Sequence, residues 1–252
     1  MIVAIIQARM NSTRLHGKVL KDIEGKPMLW HIIKRLEEAK LIDKIVIATS
    51  DKAENMPILK LAEYVKAAAF SGSEDDVLNR FYQAATKYKA DAVVRITADC
   101  PLIDPHIIDQ AIKLYMQGSY DYVTNAFNRT FPDGLDVEIF SYDSLEISWR
   151  KAKWASEREH VTPFIRKNPD IFRLANIENK TDLSRLRWSV DEEKDLEFVR
   201  HIYKHLYKEG EIFYMEDILK LLTEHPEIEN INREIRINRG YDKSLKEDKL
   251  VK

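Results

Sequence analysis

The sequence predicts an α/β protein whose first half forms a doubly wound, parallel sheet. Two observations carry the prediction. Apolar, β-branched runs recur roughly every 45 residues and are apolar on both faces, as buried parallel strands are. Between them lie amphipathic stretches with helical spacing, which gives the strand–helix–strand rhythm of such a sheet.

The elements follow in order. IVAIIQA, residues 2–8, reads as the first strand and KIVIATS, residues 44–50, as the second. Between them PMLWHIIKRLEEAK places Leu29, Ile32, Ile33 and Leu36 on one helical face, with Pro27 suited to the first turn. Helices are expected over 57–66 and 75–89, with AAAF, ending at Phe70, as a short strand between them. DAVVRIT, residues 91–97, is the next long strand. After Ile103 the pattern changes. A helix over 105–116 leads to a short strand near DYVTN and then to TFPDGLDVEIFS. There Leu135, Val137 and Ile139 alternate with Asp136 and Glu138, as in a strand with one exposed face. A polar helical region over 142–167 holds Trp149, Trp154 and the run SEREH. A strand over 186–190 and a helix over 192–208 follow. The stretch 241–252, YDKSLKEDKLVK, carries little apolar surface and is expected to fray. With no internal repeat and no low-complexity linker, the reading is one domain over 1–240, a subregion set in at about 127–180, and a charged tail over 241–252.

Composition narrows the function. With 252 residues, 44% of them hydrophobic and 33% charged, the chain can bury a substantial core. A net charge of −2 lacks the basic excess of a general nucleic-acid binder. One cysteine, Cys100, leaves no internal disulfide and suits a reducing compartment. No apolar run approaches the ~20 residues that cross a bilayer, and the apolar N-terminus lacks the flanks of a signal peptide. The expectation is a cytoplasmic protein with neither a nucleic-acid nor a membrane partner.

The common phosphate-loop, dinucleotide, hydrolase and zinc fingerprints are absent. His201 and His205 share a helix face without a third ligand, and His31 and Cys100 read as structural. The informative segment is ARMNSTRLHGK, where Arg9, Arg14 and Lys18 crowd one loop with Ser12 and Gly17 and no acid. Cations on one loop repel, so the arrangement suits an anionic ligand. Parallel sheets bind ligands just past the carboxyl ends of their strands, where this loop lies. A solvated loop paired to surface acids is the alternative. Asp99 and Asp191 each fall just past a strand; each is either a loop acid or cap, or one of two carboxylates holding Mg²⁺ beside a phosphate.

QARMNSTRLHGKVL resembles the signature loop of the CTP-dependent sugar cytidylyltransferases, the group containing the CMP-Kdo and CMP-sialic acid synthetases. GKPMLWHII, RITADCPLID and SVDEEKDLEFV resemble later landmarks of that family, in the same order from residue 1 to about 199. PDGLDVEIFS and SEREHVTPFI look most like its spore coat polysaccharide biosynthesis protein F branch. The resemblance implies a nucleotide-diphospho-sugar transferase fold, GT-A-like, with a mixed and mainly parallel sheet flanked by helices. It implies a triphosphate site at Ala8, Arg9, Ser12, Arg14 and Lys18, with Arg9, Arg14 and Lys18 serving catalysis, and Mg²⁺ at Asp99 and Asp191. Ser71, Ser73 and Arg80 would read the cytosine and ribose, and Asn125, Asp133, Asp136, Glu138 and His160 would face the acceptor. For the last group a plain alternative stands: Asp136 and Glu138 as an exposed strand face, Glu157 and His160 as a solvent-facing turn. The implied reaction joins CMP from CTP to a small acidic or phosphorylated acceptor. The implied assembly is a homodimer near Trp149 and Trp154, unless both tryptophans fill the chain's own core. A glycosyltransferase of the same fold and a non-catalytic nucleotide binder are the rivals. The lone aspartate of TADCP, where such transferases use D-x-D, disfavours the first, and retention of Lys18, Asp99 and Asp191 the second.

Overall fold

The computed structural model describes residues 1–237 and 239–251. In chain order it contains β1 (Ile2–Gln7), β2 (Asp22–Ile23), β3 (Lys26–Pro27), α1 (Met28–Glu37), β4 (Lys44–Ser50), α2 (Met56–Tyr64), β5 (Ala68–Gly72), α3 (Val77–Lys87), β6 (Ala92–Thr97) and α4 (Pro105–Met116). Then come β7 (Tyr122–Thr124), β8 (Glu138–Ser141), α5 (Tyr142–Lys151), α6 (Ala155–His160), α7 (Pro163–Lys167), β9 (Leu174–Asn176), α8 (Glu193–Leu206), α9 (Met215–Glu224), α10 (Pro226–Glu229) and α11 (Arg239–Lys246).

Seven strands form one mixed sheet in the order β5-β4-β1-β6-β8-β7-β9. β5, β4, β1 and β6 are parallel, and β8 runs antiparallel to β6 and β7. Strand β1 shows why its sequence is apolar throughout. Ala4 and Ile6 enter the core under α1, α2, α4, α8 and α9, whereas Val3 and Ile5 enter the core under α3, α5 and α7. From β1 the chain moves to β4 on one side and later to β6 on the other. The carboxyl ends of β1 and β6 therefore flank a topological switch point, where ligands enter open α/β sheets. Local signals agree: Asp104 accepts the His106 N–H at 2.8 Å to cap α4 ahead of Pro105, and Asp76 accepts the Asn79 N–H at 2.9 Å to cap α3.

Several expectations need correction. Pro27 ends β3 and caps α1 instead of lying within its first turn. β8 begins only at Glu138 and sits between two strands. Glu138 is buried, so the alternating pattern does not mark an exposed face. The 142–167 region is three helices, interrupted before α6 and again at Val161, whose φ is 71°. Residues 186–190 form no strand. They are a buried segment whose one β-bridge among the described residues is Asp133 to Arg187, with further hydrogen bonds such as that from the Val190 N–H to the Asp99 carbonyl. The tail expected to fray forms α11 and then pairs with α6: the Ala155 N–H donates to the Lys249 carbonyl and the Val251 N–H to that of Lys153, both at 2.9 Å. Trp149 packs within the chain, stacked on Tyr82 with centroids 4.2 Å apart, whereas Trp154 is 42% exposed. Among the described residues no helix is long and apolar enough to cross a membrane.

Candidate active site

The loop after β1 is a built structure. The Met10 carbonyl accepts the N–H groups of Ser12 and Gly17, both at 2.9 Å, so the chain curls around one oxygen. The turn needs Gly17 at φ 64°, a left-handed conformation that side chains disfavour, and an added Cβ would meet the Met10 methyl at 3.3 Å. The Met10 N–H donates to Asn55 Oδ1 at 2.8 Å, and Asn55 Nδ2 donates to Ser50 Oγ at 2.6 Å, which pins the loop to the end of β4. Ala8 is buried and donates its N–H to the Ala48 carbonyl. Ser12 lies half-buried within the turn. Arg9 is largely exposed, 3.8 Å from Glu74.

The turn delivers Lys18 to the switch point. Its Nζ donates to Asp191 Oδ1 at 2.8 Å, to the Val190 carbonyl at 2.7 Å and to Asp99 Oδ2 at 3.3 Å. Arg14 reaches the same Asp191 oxygen at 2.9 Å. Burial works against the charge on Lys18, yet the two carboxylates prevail and raise its pKa. Burial likewise opposes ionisation of Asp99, but the Lys18 ammonium, with hydrogen bonds from Thr97 and Cys100, holds that carboxyl down to about 2. Asp191 does not cap α8. That task falls to Asp195, fully buried, whose Oδ2 accepts the N–H groups of Asp191 and Glu192 at 2.9 Å.

Behind this cluster lies a support that the sequence did not announce. Arg187 forks onto Asp195 at 2.9 and 3.0 Å and also reaches Asp191 Oδ2 at 3.1 Å and Asp133 at 3.2 Å. Asn232 donates to Asp195 and to the Arg187 carbonyl, both at 3.0 Å. The D-x-x-x-D spacing contained Asp195. The roles of Arg187 and Asn232, and of Asn55 at the loop, depend on contacts 37 or more residues apart in sequence, or on side-chain direction.

Whether the site suits Mg²⁺ is decided by its donors. Among the described residues no three His, Cys, Asp or Glu side chains gather as a full metal shell. Asp99 and Asp191 converge on one ammonium, however, so the place between them is already built for positive charge. Two carboxylates completed by substrate phosphate are a normal Mg²⁺ donor set, and the residues present fit it.

The other candidates divide. Ser73 and Arg80 are together: Arg80 NH1 donates to the Ser73 carbonyl at 2.6 Å, while Ser71 lies exposed at the end of β5. Arg80 is 1% exposed, and its Nε and second terminal nitrogen have no hydrogen-bond partner among the described residues. Burial, answered only in part by Glu74, lowers its pKa to about 10. Asp133 and Asp136 share Arg129, which forks onto Asp136 at 2.5 and 2.7 Å and lies 3.5 Å from Asp133. Burial and the neighbouring Asp136 push Asp133 up to about 6 despite Ser189, Arg129 and Arg187.

Asn125 and Glu138 are committed to structure. Asn125 clamps the backbone at Leu135 and Val137 at 2.7 and 2.9 Å. Glu138 pairs with Arg95 and accepts the hydroxyls of Tyr122 and Thr162, both at 2.6 Å. Glu157 and His160 are no solvent-facing turn. Glu157 accepts the N–H groups of Lys153 and Trp154 at the start of α6. The His160 Nε2 lies 3.0 Å from Ser244 Oγ, and burial lowers its pKa to about 4.

Comparison with known proteins meets this geometry. The sequence pattern of a family described as Cytidylyltransferase matches residues 3–235. An uncharacterized protein of Methanocaldococcus jannaschii is 36% identical over 239 residues, covering 93% of this chain and 96% of its own. The spore coat polysaccharide biosynthesis protein SpsF of Bacillus subtilis is 33% identical over 237 residues, covering 90% of this chain and 95% of its own. A solved cytidylyltransferase from Leptospira borgpetersenii superposes with a TM-score of 0.87 at 31% identity, covering 94% of this chain and 99% of that one.

Proposed function

The chain belongs to the cytidylyltransferase family, and from that premise we propose that it transfers CMP from CTP to an acidic sugar, or to a phosphorylated or phosphonate acceptor, in surface polysaccharide or glycoconjugate synthesis. The observation that carries the reading is Lys18, held between Asp99 and Asp191 at the switch point between β1 and β6.

An acceptor oxygen bonds to the α-phosphorus of CTP, the bridge from that phosphorus to the β-phosphate breaks, and the bond's electron pair leaves with pyrophosphate. Such chemistry asks the protein mainly for positioning and charge. Lys18, Arg14 and Arg9 would bind the triphosphate and steady the charge growing on the leaving group, with Ala8 and Ser12 lining the loop. Asp99 and Asp191 would hold Mg²⁺, which when bound supplies charge neutralisation at the reacting phosphate. Ser71, Ser73 and Arg80 would read the base and ribose; the unpartnered nitrogens of Arg80 suit a ligand rich in acceptors. Asp133 and Asp136 would meet the acceptor. Asn125 and Glu138 would shape its pocket from behind, and His160 would close it. The same reading takes 1–240 as one nucleotidyltransferase domain, with acceptor recognition and a homodimer contact in about 127–180, in the cytoplasm.

The test is a pyrophosphate-release assay with Mg²⁺ and each of the four nucleoside triphosphates, against a panel of acidic sugars, sugar phosphates and phosphonates. Release that needs CTP and one acceptor is expected. Release that runs equally with ATP would overturn the assignment of CTP.

A further inference from the structure

Helix α11 touches two segments that carry candidate site residues, one beside Asp191 and the other at His160. At its start Arg239 donates to Glu192 at 2.7 Å, next to Asp191, and a Cβ placed on Gly240 would lie 3.7 Å from the Arg14 guanidinium. This is the triphosphate corner. From the next residue through the following turn, about 6 Å along the axis, the helix meets the end of α6. The Tyr241 ring stands edge-on to His160 with centroids 4.9 Å apart, and Ser244 Oγ lies 3.0 Å from both His160 Nε2 and Glu159 Oε2. The chain then runs along α6, where Asp248 accepts the N–H and the hydroxyl of Ser156 at 2.9 and 2.7 Å.

This attachment is of an unusual kind for the molecule. No residue of α11 is buried, and its contacts are side-chain hydrogen bonds and one ring contact with the part-buried His160. An element with no fully buried residue opens at lower cost than the strands and helices packed in the core. It also lies beyond the family pattern, which ends at residue 235. Its contacts nevertheless fall on the neighbour of Asp191 and on His160, and Gly240 passes close to Arg14.

We propose that α11 is a strap over the active site: it lifts from His160 and Glu192 to admit CTP and acceptor and re-docks to hold them, with Tyr241 and Ser244 forming part of the acceptor-side wall. The inference rests on the cytidylyltransferase reading above. Tyr241 and Ser244 act as positioning residues, through His160 and through exclusion of solvent. The strap therefore sets how long a bound nucleotide stays more than how fast it arrives.

Two measurements on the full chain test it, with CTP and Mg²⁺ as the probe. The first is hydrogen exchange of the backbone amides over 241–248, expected to slow ~10-fold when CTP and Mg²⁺ are added. The second is the CTP dissociation rate, expected to rise ~10-fold when residues 239–252 are deleted. The double variant Tyr241→Ala, Ser244→Ala, which keeps the helix, carries the second measurement if the deletion does not fold. Exchange that CTP leaves unchanged, or release within about twofold of the full chain in the folded variant, overturns the strap. A full chain that binds no CTP overturns the cytidylyltransferase reading and the strap with it. CTP bound normally with no strap effect overturns the strap alone.

Discussion

Lys18 is held by three oxygens from two segments distant in sequence, and each bond is charge-assisted or short. Replacing Asp99 by Asn keeps the volume and removes one of the two charges that face the ammonium. We expect Asp99→Asn to fold, with a melting temperature near that of the parent, and to lose turnover by roughly two orders of magnitude or more. Near-normal pyrophosphate release from that variant would refute the role given to Asp99. The sequence marked Lys18, Arg14, Asp99 and Asp191 as candidate site residues, and the structure brings all four together, although the strand expected just before Asp191 does not form. It misled at Glu138, because an acid that alternates with apolar residues looks solvent-facing whether it meets water or a buried Arg95. It was silent at Arg187, since nothing local distinguishes an arginine in an extended segment from a surface one.

Arg187 also decides the behaviour of a whole element. The start of α8 is fixed by Asp195, and Asp195 is buried against the guanidinium fork of Arg187 and the amide of Asn232. Removing one partner of a buried ion pair strands the other, at a cost of about 3–5 kcal/mol. Arg187→Ala should lower unfolding stability by about that much in urea, and Arg187→Lys should lose part of it because an ammonium cannot fork. A loss below about 0.5 kcal/mol for Arg187→Ala would show that α8 does not depend on this contact. Elements with strong local periodicity, such as β1, α1 and α4, were legible in the sequence. The 186–190 segment was not: its apolar alternation reflects burial between neighbours, whereas a strand also requires a partner backbone to pair along its length. The tail misled for the opposite reason. Its docking uses polar side chains and backbone groups, which composition reads as solvent-loving.

The whole molecule carries these charges into its response to pH and ligand. His31 is buried against the Ile23 carbonyl, and burial lowers its pKa from 6.5 to about 4; His160 is lowered to about 4 for the same first reason. The unfolded chain binds protons at both sites before the native state does, so stability is full above pH 6.5 and falls as the pH drops toward 4. A displacement from 6.5 to about 4 amounts to about 3 kcal/mol for the better buried His31, at roughly 1.36 kcal/mol per unit. Asp133 acts in the opposite direction between about 6 and 3.8, because its raised pKa favours the protonated native form. The net expectation is acid weakening between pH 6.5 and 4, measured as the urea midpoint, and a shallower slope in His31→Gln. An equal slope in that variant would remove His31 as the cause. Ligand should act in the stabilising direction. Two buried nitrogens of Arg80 have no partner among the described residues, so a bound nucleotide that supplies acceptors relieves an unfavourable term that the native state alone carries. At a hundredfold excess over its dissociation constant, CTP with Mg²⁺ should add about 2.7 kcal/mol, or several degrees in melting temperature for a chain of this size. ATP should add much less, since the shift depends on the base as well as the phosphates. Chelation of Mg²⁺ should cancel most of the CTP effect, because Asp99 and Asp191 would then face the triphosphate as like charges offset only by Lys18 and Arg14. Equal shifts from CTP and ATP would place the selectivity for cytosine outside Ser71, Ser73 and Arg80. An undiminished CTP shift in chelator would remove the metal from the pair Asp99 and Asp191.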